Sequence, residues 1–105
     1  MKTYNIDKMI NGWFVGNFFP SAFNTDLCEV AVKKYKKDEL NLSHYHKIST
    51  EITLVLTGII QMNDQIFNTG DIIVVSPGEK TTFRSITDSV LVVVKTPGAI
   101  NDKFI

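Results

Sequence analysis

The residues best suited to chemistry in this chain lie close together near its middle. His44 and His46 are the only two histidines, and they flank Tyr45 in a stretch that reads as a β-strand. Because side chains alternate between the two faces of a strand, both imidazoles are expected on one face and Tyr45 on the other. A hairpin through Lys47–Thr50 would then bring the carboxylate of Glu51 close to the two rings.

Two imidazoles and a carboxylate that converge on one point form a metal-ligand set. This donor set binds non-haem iron in a facial triad, and manganese, nickel or zinc can also occupy it. The sequence therefore predicts a divalent metal site at His44, His46 and Glu51, with the two histidines as candidate catalytic groups. Taken singly, each of these residues has an ordinary alternative as a surface residue near a strand end.

The rest of the chain is expected to supply strands that position these residues. Apolar residues recur with period two, β-branched residues are frequent, and turn residues separate the segments. The predicted strands are Trp13–Phe18, Leu27–Lys36, Ser43–Lys47, Glu51–Thr57, Ile59–Met62, Gln65–Phe67, Ile72–Ser76, Thr81–Ile86 and Val90–Lys95. Asn63-Asp64 and Pro77-Gly78 carry the chemistry of tight turns. Short strands joined in this way predict an all-β antiparallel sandwich or barrel.

Strand alternation also predicts a lining for the site. If Glu51 faces inward, Thr53 and Val55 face inward too, and Thr81 and Phe83 do so on a later strand. Such a mixed polar and apolar lining is typical of pockets for small molecules. For Phe83, filling of the barrel core is favoured over contact with a ligand.

Composition narrows the classes of partner. The 105 residues fit a single domain, and eleven basic residues balance eleven acidic ones, which argues against binding to nucleic acid or an anionic membrane. The lysine cluster around Lys33 is interpreted as a solvated strand end. A single cysteine excludes an internal disulfide, and no apolar run suits a signal peptide or a membrane span, so a cytoplasmic location is expected.

Two segments indicate association between copies of the chain. Ile72–Val75 and Val90–Val94 are apolar on both faces, whereas an antiparallel strand with one face in water would alternate. A second sheet can cover one face, and the partner of a homodimer can cover the other. The N-terminal strands, within residues 13–36, are expected to complete the barrel or to form the dimer interface. The aromatic-rich segment Trp13–Pro20 is interpreted as core or dimer packing.

The motif spacings resemble those of the cupin superfamily. His44-Tyr45-His46, four residues, Glu51, six residues and Gly58 resemble the first cupin motif, and Gly70–Gly78 resembles the start of the second. The similarity covers about residues 40 to 95 of a single domain spanning 1–105, and the end of the chain is similar to that of short bacterial cupins. It implies a double-stranded β-helix, a jelly-roll-like antiparallel barrel.

The resemblance also implies roles for individual residues. In the family, the residues that match His44, His46 and Glu51 are metal ligands, and a third histidine follows the Pro-Gly turn. Thr81 stands at that last position, so the second motif is incomplete. A metal in this chain would have at most three protein ligands, and water or substrate would fill the other positions.

Three functions remain open on these grounds. In the first, a divalent metal binds a small polar ligand and supports isomerase- or oxygenase-type chemistry. In the second, a metal-free enzyme acts on a sugar or sugar nucleotide, with one histidine as general base tuned by Glu51. In the third, the barrel is a non-catalytic module that binds a small molecule. In all three hypotheses the protein binds a small molecule, such as a sugar-like compound.

Overall fold

The computed structural model describes residues 1–105, and it consists almost entirely of β-strands. One 3-10 turn, Ile6–Lys8, precedes them, and no helix is long and apolar enough to cross a bilayer. The strands are β1 Trp13–Val15, β2 Glu29–Tyr35, β3 Leu40–His44, β4 Thr50–Thr57, β5 Ile59–Met62, β6 Gln65–Asn68, β7 Ile72–Val75, β8 Thr81–Ser85 and β9 Ser89–Thr96. Each overlaps a strand predicted from the sequence, and the predicted all-β class is confirmed.

The strands form two antiparallel sheets that face each other. One has the order β1-β2-β9-β4-β7 and the other has the order β3-β8-β5-β6. The apolar residues on the inner faces meet between the sheets, because alternation places every second side chain there. The buried core consists of Val55, Ile60, Met62, Val75, Phe83, Leu91 and Val93.

Tight turns occur where the sequence indicates them. Asn63, with a φ of 52°, and Asp64 join β5 to β6. In the turn before β8, Gly78 has a φ of 84°, and the N–H of Glu79 donates to the carbonyl of Ser76 over 3.1 Å. Gly78 thus occupies the left-handed backbone region that this type II turn requires, which most residues with a Cβ avoid.

The connection from β3 to β4 is not the predicted hairpin. β3 pairs with β8, while β4 pairs with β7 and β9, so residues 45–49 cross from one sheet to the other. The buried carboxylate of Asp102 accepts hydrogen bonds from the backbone N–H groups of residues 47–49 and so fixes the path of this crossing. As a result, His44 and Glu51 approach each other from facing sheets.

The two strands that are apolar on both faces, β7 and β9, each pack only one face against the core. The outer face of β7 is open, with Ile72 65% and Val74 60% exposed, and β7 lies at the edge of its sheet. In β9, the outward residues Val90, Val92 and Val94 are half-buried in the single chain. The homodimer therefore stays a prediction, and the outer face of β7 is the surface that it would cover.

Candidate metal centre

The two histidines lie at the end of β3, where the chain leaves the four-stranded sheet. His44 ends the strand opposite Thr81 of β8, and His46 follows just beyond it. Their ring centroids are 5.3 Å apart at an angle of 82°, while the ring of Tyr45 packs on Phe104 on the other side. The pairing of His44 with Thr81 matches the predicted placement of Thr81 opposite the histidines.

Glu51 completes the cluster from the facing sheet. It is the second residue of β4, and one atom from each of His44, His46 and Glu51 lies within 4.8 Å of the other two. The three side chains named from the sequence are therefore brought together in space. They meet across the barrel and not along a hairpin.

Backbone carbonyls fix the tautomer of both imidazoles. Nδ1 of His44 contacts the carbonyl of Leu42 at 3.1 Å, and Nδ1 of His46 contacts the carbonyl of Asp102. A carbonyl oxygen only accepts, so each Nδ1 must carry the proton that is donated. In the neutral rings, both Nε2 atoms therefore present lone pairs, which is the arrangement that a metal-binding imidazole needs.

His46 and Glu51 make a contact that requires a cation. Nε2 of His46 lies 3.0 Å from Oε2 of Glu51, yet this buried nitrogen has no hydrogen-bond partner of acceptable direction. A lone pair and a carboxylate oxygen at this distance repel each other, and an unpaired buried polar atom is costly. A proton on Nε2 or a metal ion shared by both groups relieves the conflict. The donor set thus fits a divalent ion.

The electrostatics of the three groups agree with this arrangement. The carboxylate of Glu51 raises the pKa of His46 above its ordinary value. Burial by itself would raise the pKa of Glu51, but the proximity of His46 outweighs burial and holds that pKa below its ordinary value. Burial lowers the pKa of His44, which keeps this imidazole neutral and able to bind a metal.

Asp102 is a functional residue that sequence reasoning did not find. Its carbonyl accepts from His46, and its carboxylate accepts the backbone N–H groups of Lys47, Ile48 and Ser49 at 2.8, 3.0 and 2.9 Å. Burial would raise the pKa of Asp102, but these three donors outweigh it and lower the pKa. The C-terminal segment therefore fixes both the ring of His46 and the crossing that leads to Glu51.

A cavity of about 440 Å³ opens over the cluster. Its walls come from the N-terminal segment, the inner faces of β2 and β9, and the C-terminal segment. It is lined by Ile10, Trp13, Phe18, Phe19, Pro20, Glu29, Lys33, Tyr35, Asn41, His44, His46, Glu51, Val93, Lys95 and Lys103. The aromatic N-terminal segment, interpreted from the sequence as core or dimer packing, thus forms part of the cavity wall.

The residues named from the sequence as the pocket do not line this cavity. Thr53, Val55, Thr81 and Phe83 face inward and are at most 7% exposed. Val55 and Phe83 belong to the apolar core, whereas Thr81 lies directly opposite His44. The sequence predicted that Lys33 belongs to a solvated strand end. In the structure, Lys33 instead lines the cavity and is half-buried.

Comparisons with known proteins identify the fold. No family model and no curated protein sequence matches the chain. A conserved protein with a double-stranded β-helix domain from Klebsiella pneumoniae is similar at a TM-score of 0.67 and 21% identity, over 70% of this chain and 66% of that one. An RmlC-like cupin from Shewanella frigidimarina has a TM-score of 0.67 and 20% identity, over 76% of this chain and 73% of that one.

One of the similar structures is described as containing metal centres. Oxalate decarboxylase from Bacillus subtilis, described with Mn(II) centres, has a TM-score of 0.66 and 14% identity, over 76% of this chain and 24% of that one. This chain spans about two thirds of the Klebsiella protein and about a quarter of the decarboxylase. These similarities establish a shared double-stranded β-helix.

Proposed function

Since this chain has the cupin fold, we propose that it is a small metal-binding cupin in which His44, His46 and Glu51 hold a divalent ion and a small polar ligand docks beside it. The observation that supports the proposal is the 3.0 Å approach of the buried Nε2 of His46 to the carboxylate of Glu51. A divalent ion held by His46 and Glu51 would remove that repulsion. The fixed tautomers of both rings support the same conclusion, because they direct lone pairs away from the backbone.

The ligand set favours a transition metal. Two imidazoles and one carboxylate suit iron, manganese, nickel or zinc, and they suit calcium or magnesium poorly because those ions prefer oxygen donors alone. Manganese has the additional support of the similar decarboxylase that is described with Mn(II) centres. We therefore expect elemental analysis to find one of these four metals.

The ligand is expected to complete the coordination. Thr81 stands where the cupin pattern has a further histidine, so three protein ligands leave positions for oxygen atoms of water or ligand. The cavity over the cluster provides the room. A bound divalent ion there would polarise a carbonyl or hydroxyl group, which supports isomerisation or, with a redox metal, oxygenation.

A metal-free enzyme is the second candidate, and the same contact supports it. If a proton instead of a metal lies between His46 and Glu51, the two form an ion pair at 3.0 Å. His44, whose pKa is lowered by burial, would then be the free imidazole that accepts a proton from a sugar-like substrate. A non-catalytic binding module would use the same cavity without turnover.

Elemental mass spectrometry of untagged protein purified without chelator tests the proposal. We expect near-stoichiometric iron, manganese, nickel or zinc in the wild type, and its loss in His46→Ala and in Glu51→Gln. Asp64→Asn, a change in the exposed turn between β5 and β6, is the control and should keep the metal. Wild-type protein that lacks metal and takes up none of the four ions would overturn the proposal in favour of the metal-free candidate.

A further inference from the structure

Two lysines lie on the inner face of the barrel beside small or apolar residues of the same strands. Lys33 shares the inner face of β2 with Ala31, and Lys95 shares the inner face of the adjacent strand β9 with Val93. Ala31 and Val93 are 0% and 6% exposed, and the side chain of Lys95 is only 16% exposed. Lysine is rarely placed on a buried face without a partner, so these two positions call for a specific interaction.

Both ammonium groups lie over the same aromatic ring at the cavity wall. Nζ of Lys33 is 5.2 Å and Nζ of Lys95 is 4.9 Å from the centroid of Trp13. The negative face of the ring attracts each cation. Nζ of Lys33 also donates to the carbonyl of Asn11 over 2.9 Å, and this partner is neutral. Trp13 thus holds two positive charges in the wall of the cavity that also contains the three candidate metal ligands.

The carboxylates in the cavity do not balance this charge. Three lysines and two glutamates line it. Glu29 lies 3.9 Å from Lys95 and also accepts the N–H of Ala99. Glu51 pairs with Lys95 across β4 and β9 but is shared with His46, whose Nε2 lies 3.0 Å from it, so two shared carboxylates face three lysines. Burial is the main cause that lowers the pKa of Lys33, repulsion from Lys103 and Lys95 lowers it further, and the carboxylate of Glu51 only partly offsets them. A divalent ion at the cluster would add further positive charge.

We propose that the ligand of this site is a small organic anion, with an oxygen on the metal and a carboxylate or phosphate group bound by Lys33 and Lys95. This inference rests on the proposed function for the metal contact, whereas the role of the lysines stands on their own positions. An oxyanion would pair with ammonium groups that now face neutral or shared partners. The cavity of about 440 Å³ limits the ligand to a small molecule.

Isothermal titration calorimetry on protein loaded with Mn(II), at low ionic strength, tests the inference. The probes are malate for a carboxylate, glucose 6-phosphate for a phosphate, and glucose as the neutral control. We expect one of the two anions to bind and glucose not to bind. Lys33→Met and Lys95→Met should each weaken anion binding by about tenfold or more. Lys34→Met, on the exposed outer face of the same strand, should leave it unchanged.

Two further measurements separate the outcomes. Metal content is measured for each variant, and Lys33→Arg, which keeps the charge, should keep most of the anion affinity. Equal binding of glucose and the anions, binding of neither anion, or unchanged affinity in both methionine variants would overturn the inference. Failure of the wild type to take up Mn(II) or another metal counts against the proposed function alone, and the effect of the lysines is then measured on the metal-free protein.

Discussion

The imidazole of His46 donates its Nδ1–H to the backbone carbonyl of Asp102, 56 residues further along the chain. The carboxylate of the same aspartate accepts three N–H groups from the segment that follows His46. Asp102, near the C-terminus, therefore sets the orientation of the imidazole of His46, a candidate metal ligand, and the path of the chain from that ring to Glu51. Partners of this kind commonly decide how tightly a site binds its metal.

Asp102→Ala should therefore affect stability and metal binding together. Loss of three hydrogen bonds to a buried carboxylate is expected to lower the free energy of unfolding by about 3 kcal/mol. The affinity for metal should fall by about tenfold, because the ring of His46 loses part of its support. Urea unfolding and metal titration measure the two effects. Asp102→Asn, which keeps one acceptor oxygen, should lose less, and a normal metal affinity in Asp102→Ala would contradict the positioning role.

We expect Tyr35 to make the free energy of unfolding depend on pH in the alkaline range. Its ring packs on Phe83 at 4.5 Å, and its hydroxyl oxygen accepts from Asn41 over 3.3 Å. Burial raises the pKa of Tyr35, the negative charges of Glu51 and Glu39 raise it further, and the hydrogen bond from Asn41 only partly offsets them. The other titratable groups that line the same cavity are Glu29, Lys33, His44, His46, Lys95 and Lys103.

The raised pKa fixes the sign of the effect. The unfolded chain releases the tyrosine proton near pH 10, whereas the folded protein retains it to higher pH. The free energy of unfolding should therefore fall as pH rises above about 10, and this part of the fall should be absent in Tyr35→Phe. Urea unfolding of both proteins between pH 8 and pH 11, in steps of about half a unit, measures it. Parallel curves for the two proteins would show that Tyr35 ionises alike in both states.

Thr81→His should strengthen the metal site. Thr81 is buried directly opposite His44 in the β3–β8 pair, at the position where the cupin pattern has a further histidine. A fourth protein ligand is expected to lower the dissociation constant for metal by about tenfold or more. Thr82→His, on the exposed face one position along, is the matched control. Equal metal affinity in the two variants would mean that residue 81 does not face the metal.

Much of the fold and the centre of the site follow from local sequence. Period-two recurrence of apolar residues and turn residues such as Asn63 and Gly78 predicted the strands, because both act over a few neighbouring residues. The spacing of His44, His46 and Glu51 predicted the cluster. The local hairpin expected to form it was wrong, since Glu51 reaches the histidines from the facing sheet.

The remainder of the site depends on contacts that are distant in sequence. Asp102 reaches His46 only because the C-terminal segment folds back over the barrel end, and no local pattern marks it. Alternation places Thr53 on the same face as Glu51, but it says nothing about depth along the barrel, so it does not show which inward residues line the cavity. Lys33 was interpreted as solvated because it belongs to a lysine cluster that Asp38 and Glu39 follow at once, and this local pattern does not show that Lys33 alone faces the cavity.

The outer face of β7 predicts self-association. Ile72 and Val74 are 65% and 60% exposed, they lie on one face of an edge strand, and such edges are prone to pair with another chain. We expect a dimer whose interface includes these two residues. The double change Ile72→Lys and Val74→Lys should raise the dimer dissociation constant by at least about tenfold, measured by analytical ultracentrifugation. Ile66→Lys, at a comparably exposed residue on β6 of the other sheet, should leave the dimer intact. A wild-type protein that is monomeric at micromolar concentration would contradict the homodimer prediction. Such a result would mean that the exposed aliphatic side chains at this edge are tolerated in water.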